Sequence, residues 1–327
     1  MHSVLAVDIG GTNSRFAAFT VNAYGVLEQG ETLWLETRRF ASFQALMQGV
    51  RDANFALSPH DADCVGLAVA GPVQREGRYS NPPNIPWDID LVHRDAELLR
   101  DYVLLNDFTA QAYACLTPAL SDALQVLPGR IVPRATRAVV GAGTGLGKAA
   151  LVPDESGVFH VMPTEGGHAV FPFISRDEFE FMDFVMQRTG RQQVIGDLVV
   201  SGPGLSLVHE YLTGERLAPS EVAEGLQPQS RTLAWAARFY GRACRNFVLN
   251  TLALGGLYIA GGVAAKTPQL VTCPAFRSAF HWSETHGEML EEIPVWLNAN
   301  EHSGLWGAAF AALRHLGVEQ GAGWTKA

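Results

Sequence analysis

Near the N-terminus the apolar positions fall in short runs broken by glycine. "VLAVDI" (4–9) is one run, "GGTNS" (10–14) the break, and "RFAAFTV" (15–21) a second run. Apolar runs of this length, bounded by turn residues, are the pattern of strands joined as a hairpin. A third strand is expected over 26–36 and a helix over 42–55, with Ser42 placed to cap it. A strand over 63–71, a helix over 90–100, a strand over 102–105 and a helix over 108–116 follow.

The second half repeats this order. Strands are expected at 137–141, 148–153 and 157–162, with "GAGTGLG" (141–147) between the first two. A helix over 176–190 has Ser175 before it, Glu178 three residues on as a capping box, and Gly190 at its stop. A helix near 203–212 follows "SGPG". The polar stretch 214–229, with Pro219 and Pro228, reads as a linker. A long helix at 231–253, a strand at 256–262, helical text at 275–281, a strand at 293–299 and a closing helix at 304–317 complete the chain. The order β-β-β-α-β-α-β-α thus occurs twice, with helical additions in the second copy. This predicts two similar α/β domains, each with a glycine turn between its first two strands.

The second glycine turn matches neither common phosphate motif. A Walker loop requires glycine five places before Gly147 and a hydroxyl after Lys148, but Ala142 and Ala149 stand there. The dinucleotide fingerprint fails at Leu146. Strands flank the turn on both sides, so it is a hairpin. Successive N–H groups in such turns form anion-binding nests, and glycine supplies positive φ where a nest requires it. Two domains facing each other with both turns in the cleft would clamp one polyphosphate.

Bulk properties narrow the alternatives. Hydrophobic residues make up 47% of the 327 and charged residues 17%, so two packed cores are available. The net charge of −9 argues against a general nucleic-acid surface. Cys64, Cys115, Cys244 and Cys273 form no C-x-x-C pair, which points to reduced thiols rather than a disulfide scaffold or zinc knuckle. The first residues lack the basic region of a signal peptide. Residues 246–265 carry no charge, but Asn246, Asn250 and two glycine pairs interrupt them. A buried helix end and a buried strand are expected there, and no membrane span.

"LAVDIGGTNSRFA" (5–17), "LLNDFTA" (104–110), "GAGTGLG" (141–147), "EGGH" (165–168), "SGPGL" (201–205), "IAGG" (259–262) and "AFRSAF" (275–280) come in an order and spacing that resemble the bacterial glucokinase family, within the actin-like ATPase superfamily. The Cys-rich zinc motif of the related ROK sugar kinases is absent, which favours the non-ROK branch. The resemblance implies two actin-like (ribonuclease H-like) domains, each a mixed five-stranded sheet flanked by helices, with an interdomain cleft. The closing helix is expected to return to the first domain, giving 1–108 plus about 303–327 as one domain and 109–302 as the other. The implied activity is ATP-dependent phosphorylation of glucose at its 6-hydroxyl, with Mg²⁺, in a cytoplasmic homodimer. A sugar-sensing regulator and a kinase of another hexose, or with another phosphoryl donor, are the alternatives.

The candidate residues follow. Asp8 ends a strand before Gly10 and Gly11 and suits Mg²⁺, directly or through water; the plain alternative is a turn-capping aspartate. Gly10, Gly11, Thr12, Asn13, Gly143, Thr144 and Gly145 are placed at the phosphates, and Gly261 and Gly262 at the adenosine. Asp107 lies at the carboxyl end of a strand, where open α/β sheets place ligands. By resemblance it is the base that takes the sugar hydroxyl's proton, although its position also suits a helix cap. Asn106, Glu165 and His168 are implied sugar ligands, with Asn84 near Trp87 a further contact. Asp197 stands where the family usually has glutamate, so its reach to the sugar is one methylene shorter. Lys148 opens a strand and reads as a solvated or edge lysine. Arg15 reads as structural.

Overall fold

Val4, Leu5, Ala6 and Val7 have no exposed surface. Such a strand must lie inside a sheet covered on both faces, and β1 (His2–Ile9) does. A computed structural model, describing residues 2–22 and 25–318, places β1 between an antiparallel partner, β2 (Asn13–Val21), and a parallel one. The chain forms two compact units. One contains the residues up to Ser121 together with those from Asn300 onward; the other is Asp122–Ala299. The sequence reading drew these borders at 108 and 303. Residues 319–327 of its first domain lie outside the described residues.

In the first unit β3 (Leu27–Glu36) continues the hairpin, α1 (Phe43–Asp52) follows, and β4 (Cys64–Val69) returns beside β1. Three two-residue strands, β5 (Val73–Gln74), β6 (Tyr79–Ser80) and β7 (Ile89–Asp90), form a small separate sheet. Next come β8 (Tyr102–Asn106) and α2 (Asp107–Ala114). The main sheet has the order β3-β2-β1-β4-β8. Period-two alternation sends Leu5, Val7 and Phe16 to one face, against Phe43, Leu46 and Val50 of α1. Val4, Ala6 and Ala17 go to the other face, against Leu305, Ala308 and Ala312 of the closing helix, Ser303–His315. That helix lies so close that a side chain at Gly307 would overlap the Ala110 carbonyl of α2.

The second unit starts with β9 (Leu124–Leu127), β10 (Arg137–Ala142), β11 (Leu146–Pro153) and β12 (Phe159–Thr164). Helices α3 (Arg176–Thr189), α4 (Gly202–Thr213), α5 (Pro219–Gly225) and α6 (Arg231–Thr251) precede β13 (Leu257–Ala260). Four shorter helices, α7 (Gly262–Lys266), α8 (Gln269–Thr272), α9 (Pro274–His281) and α10 (Gly287–Glu291), lead to β14 (Val295–Leu297). The sheet order is β12-β11-β10-β13-β14-β9. A sixth strand is therefore present where five were expected: β9, four residues that pair antiparallel with β14 at the edge.

Three local expectations change. Residues 91–100 form turns, not a helix, because Asp90 and Asp95 bond the backbone themselves. The Asp95 carboxylate accepts from the Asp90 N–H at 2.8 Å, and the Asp90 carboxylate accepts from Val92 and His93. The stretch 214–229 contains α5, which starts on Pro219 at its first position, where no donor is lost. The capping box on α3 is only half made. Ser175 Oγ accepts from the Glu178 N–H, but the Glu178 carboxylate takes the Ile174 N–H and a buried bidentate pair with Arg242 at 2.6 and 2.9 Å.

Candidate active site

The β1–β2 hairpin carries Asp8 opposite Arg15 in register, with the guanidinium 3.8 Å from Oδ2. Arg15 also stacks over Trp34 at 4.3 Å and donates to the Glu301 carbonyl. It therefore fixes the charge beside Asp8 as well as bracing the strand. Burial pushes the Asp8 carboxyl up, and Arg15 works against that rise. Gly304, at the start of the closing helix, packs on the carboxylate; a Cβ there would stand 3.0 Å from Oδ2.

The turn after Asp8 is tied from one side. The Thr37 N–H donates to the Thr12 carbonyl and its hydroxyl to the Gly10 carbonyl, while the Gly10 N–H donates to Asn13. Among the described residues, the N–H groups of Gly11 and Thr12 have no backbone or side-chain acceptor. Two adjacent donors of this kind are a small anion nest. Gly10 and Gly11 are not in the left-handed region, contrary to the expectation that the nest needs positive φ. Glycine at 11 serves space instead, since a Cβ would lie 3.0 Å from both Cβ and the carbonyl oxygen of Asn84. Asn84 is thus brought onto the turn, with its side chain exposed.

Asn106 and Asp107 stand where β8 runs into α2. Asn106 is the cap: its Oδ1 accepts from Phe108 and Thr109, and its Nδ2 donates to Gly71. Asp107 is the first helical residue, with Oδ1 accepting from the Phe108 N–H at 3.0 Å. The capping alternative for Asp107 therefore passes to its neighbour. Gly71 packs against Pro82, two residues from Asn84, so the loop bearing Asn84 is joined to Asn106.

In the second unit the turn Gly143–Gly145 joins β10 and β11, again outside the left-handed region. The Gly143 N–H donates to the Gly145 carbonyl, and the Gly143 carbonyl accepts from Gly202 at the head of α4. The Thr144 and Gly145 N–H groups have no internal acceptor among the described residues. The loop Glu165–His168 closes on itself through a His168 N–H bond to the Glu165 carbonyl. Its two side chains are 67% and 62% exposed, with Glu165 Oε2 3.7 Å from His168 Nε2 and Asp197 Oδ2 3.8 Å from His168 Nδ1. Glu165, His168 and Asp197 therefore form a row of acceptors and donors beside the turn.

Gly261 has φ +87° and presses on the Ala142 backbone, whereas a Cβ on Gly262 would meet open space. Gly262 is exposed, with open space where a side chain would stand.

Lys148 is not a solvated edge residue. Its ammonium donates to the Gly166 carbonyl at 3.2 Å, and burial pulls its pKa down. Thr37, Gly304 and the true placement of Lys148 were missed from the sequence. The only sequence signal for Gly304 was a glycine opening a helix.

Among the described residues no group of three or more His, Cys, Asp and Glu side chains is arranged for a metal, and no helix is long and apolar enough to cross a membrane. None of the four cysteines is in a disulfide.

Two hairpin-led mixed sheets, each with a glycine nest, form the fold of the two-domain sugar kinases. A glucokinase from an Antarctic psychrotroph has a TM-score of 0.79 at 24% identity, covering 96% of this chain and 99% of that one. The glucokinase of Balamuthia mandrillaris, solved in complex with glucose, has 0.78 at 18%, covering 96% and 94%. The glucokinase of Pseudomonas paraeruginosa is 33% identical over 97% of this chain and 94% of its own length. The glucokinase family model matches residues 5–315. The chain belongs to the glucokinase family.

Proposed function

We propose that the protein is a kinase that transfers the γ-phosphoryl group of ATP to the 6-hydroxyl of glucose. The carrying observation is chemical. In a glucokinase-family chain, Asp107 heads a helix at the end of a parallel strand, and Glu165, His168 and Asp197 form a polar row of the kind that grips a polyol. A sugar hydroxyl is too weak an acid to attack phosphorus unaided. Asp107 accepts its proton as the sugar oxygen bonds to the γ-phosphorus and the bond to the departing ADP oxygen breaks. Asn106 and Asn84 bind neighbouring hydroxyls. Asp197 adds its outward oxygen to the grip of Glu165 and His168.

The open N–H pairs Gly11–Thr12 and Thr144–Gly145 suit nucleotide phosphate oxygens, and Gly262 admits the adenosine. Asp8 suits Mg²⁺. Magnesium in kinases is bound by one or two carboxylates plus substrate phosphates, and a lone carboxylate beside a nest fits that need. When bound, the ion neutralises charge on the phosphates. Asp8 and Arg15 set the local field, and Gly304 fixes the carboxylate's position. We place the protein in the cytoplasm, as a homodimer.

A coupled ADP-release assay across glucose, mannose, fructose, N-acetylglucosamine and a no-sugar control tests this reading. Glucose-dependent ADP is the expected result. Equal ADP with and without sugar overturns the kinase, and a stronger response to another hexose reassigns the sugar.

A further inference from the structure

Asp197 makes more contacts than a sugar ligand needs. Its Oδ1 accepts from the Leu146 N–H at 2.8 Å, at the exit of the phosphate turn. Its backbone N–H donates to the Gly167 carbonyl at 3.0 Å, inside the sugar loop. Its carbonyl accepts from Ser201 Oγ at 2.5 Å, at the head of α4, and α4 in turn holds Gly143. The carboxylate is wedged between glycines of the two loops. A Cβ at Gly145 would stand 2.8 Å from Oδ2, and one at Gly167 2.6 Å from Oδ1. Lys148 completes the arrangement from β11, through its bond to the Gly166 carbonyl.

From these contacts we infer that Asp197 is a positioning residue that clasps the phosphate turn Gly143–Gly145 to the sugar loop Glu165–His168, so that its loss weakens nucleotide and sugar binding together. The assignment of ligands to the two loops rests on the kinase reading above. The short side chain is what permits the clasp. Its Oδ1 reaches Leu146 directly, between Gly145 and Gly167. A residue that only touched the sugar would leave the nucleotide unaffected.

The test is calorimetric titration of the full chain with AMPPNP and, separately, with glucose, for wild type, Asp197→Ala and Asp197→Asn. Asparagine keeps an oxygen to accept from Leu146 but loses the charge facing His168. Asp197→Ala is expected to weaken both ligands roughly tenfold, the worth of one buried hydrogen bond. Asp197→Asn is expected to weaken glucose by a similar factor while AMPPNP stays within about threefold, because the neutral acceptor is retained. The clasp is overturned if Asp197→Ala leaves AMPPNP binding unchanged, or if Asp197→Asn weakens AMPPNP beyond that limit. The second arm can still overturn the clasp if Asp197→Ala does not fold. Failure of the kinase reading looks different: the wild type releases no sugar-dependent ADP, while the AMPPNP arm still reports on the clasp. A wild type that binds no AMPPNP overturns both.

Discussion

The two glycine turns share a design and differ in what holds them. Each leaves two neighbouring N–H groups open at the tip of a hairpin. The first is held mainly by packing from distant chain, Asn84 against Gly11 and the closing helix pressed on Asp8 through Gly304, with Thr37 hydrogen-bonded to its carbonyls. The second is braced by charge, with the Asp197 carboxylate at its exit and the Lys148 ammonium under the adjoining loop. Asp8 and Asp107 stand on β1 and at the end of β8, strands of the first unit's sheet, whereas Glu165 and His168 stand well out in solvent. A base that must align one proton gains from rigidity, while groups that admit a sugar gain from access.

The sharpest way to break this contrast is at Asp107. Asp107→Ala should cut turnover by about 10²–10⁴-fold, the usual worth of a general base, with AMPPNP binding nearly unchanged. Asn106 already caps α2, so the helix should persist, and far-UV circular dichroism checks that. Near-normal turnover would reduce Asp107 to a residue of the helix start and leave the first unit without its chemistry.

The next test concerns charge inside the second unit. Burial raises the Glu178 carboxyl, but the Arg242 hydrogen bonds, the Ile174 N–H and the Arg238 charge more than reverse this, and the net shift is downward. A carboxylate depressed on folding stabilises above its unfolded value, near 4.5, and that contribution fades as pH falls through the folded value. Arg242→Met leaves the carboxylate buried beside Arg238 alone, which should cost about 3–5 kcal/mol at pH 7. Urea unfolding at pH 7 and below 4.5 should show the gap between variant and wild type narrowing on acidification. A gap that does not depend on pH would mean that packing, not charge, holds this unit.

Strands and turns were legible in the sequence because apolar runs and glycine breaks are local signals: "VLAVDI" and "RFAAFTV" could hardly be anything but a hairpin. The roles proposed for Asp107 and His168 rest on resemblance, since an aspartate before a helix is equally a cap by its position alone. Contacts between residues far apart were invisible. Nothing near Lys148 reveals that its ammonium ends on Gly166, and nothing near Gly304 reveals Asp8. Residues 91–100 failed for a related reason. Their spacing suits a helix, but two aspartates offered the backbone other partners, and that competition is settled by geometry rather than composition.

The finest probe of the contrast is Gly304. If packing positions the first half-site, a single methyl group there should be felt at Asp8. Its Cβ would stand 3.0 Å from the carboxylate oxygen and 3.5 Å from the Gln111 amide. Arg15, paired with Asp8 from the neighbouring strand, limits the carboxylate's freedom to retreat. Gly304→Ala should therefore raise the Mg²⁺ concentration required for half-maximal rate by roughly tenfold, the scale of disturbing a group behind a metal ligand. The glucose KM should shift less, because the added methyl presses first on Asp8 rather than on the proposed sugar groups Asn84 and Asn106 of the same unit or Glu165 and His168 of the other. A shift in glucose KM of equal size would mean that the methyl group disturbs the whole fold. An unchanged Mg²⁺ requirement would mean that the carboxylate shifts freely, and that packing and charge are not the separate devices the two turns present.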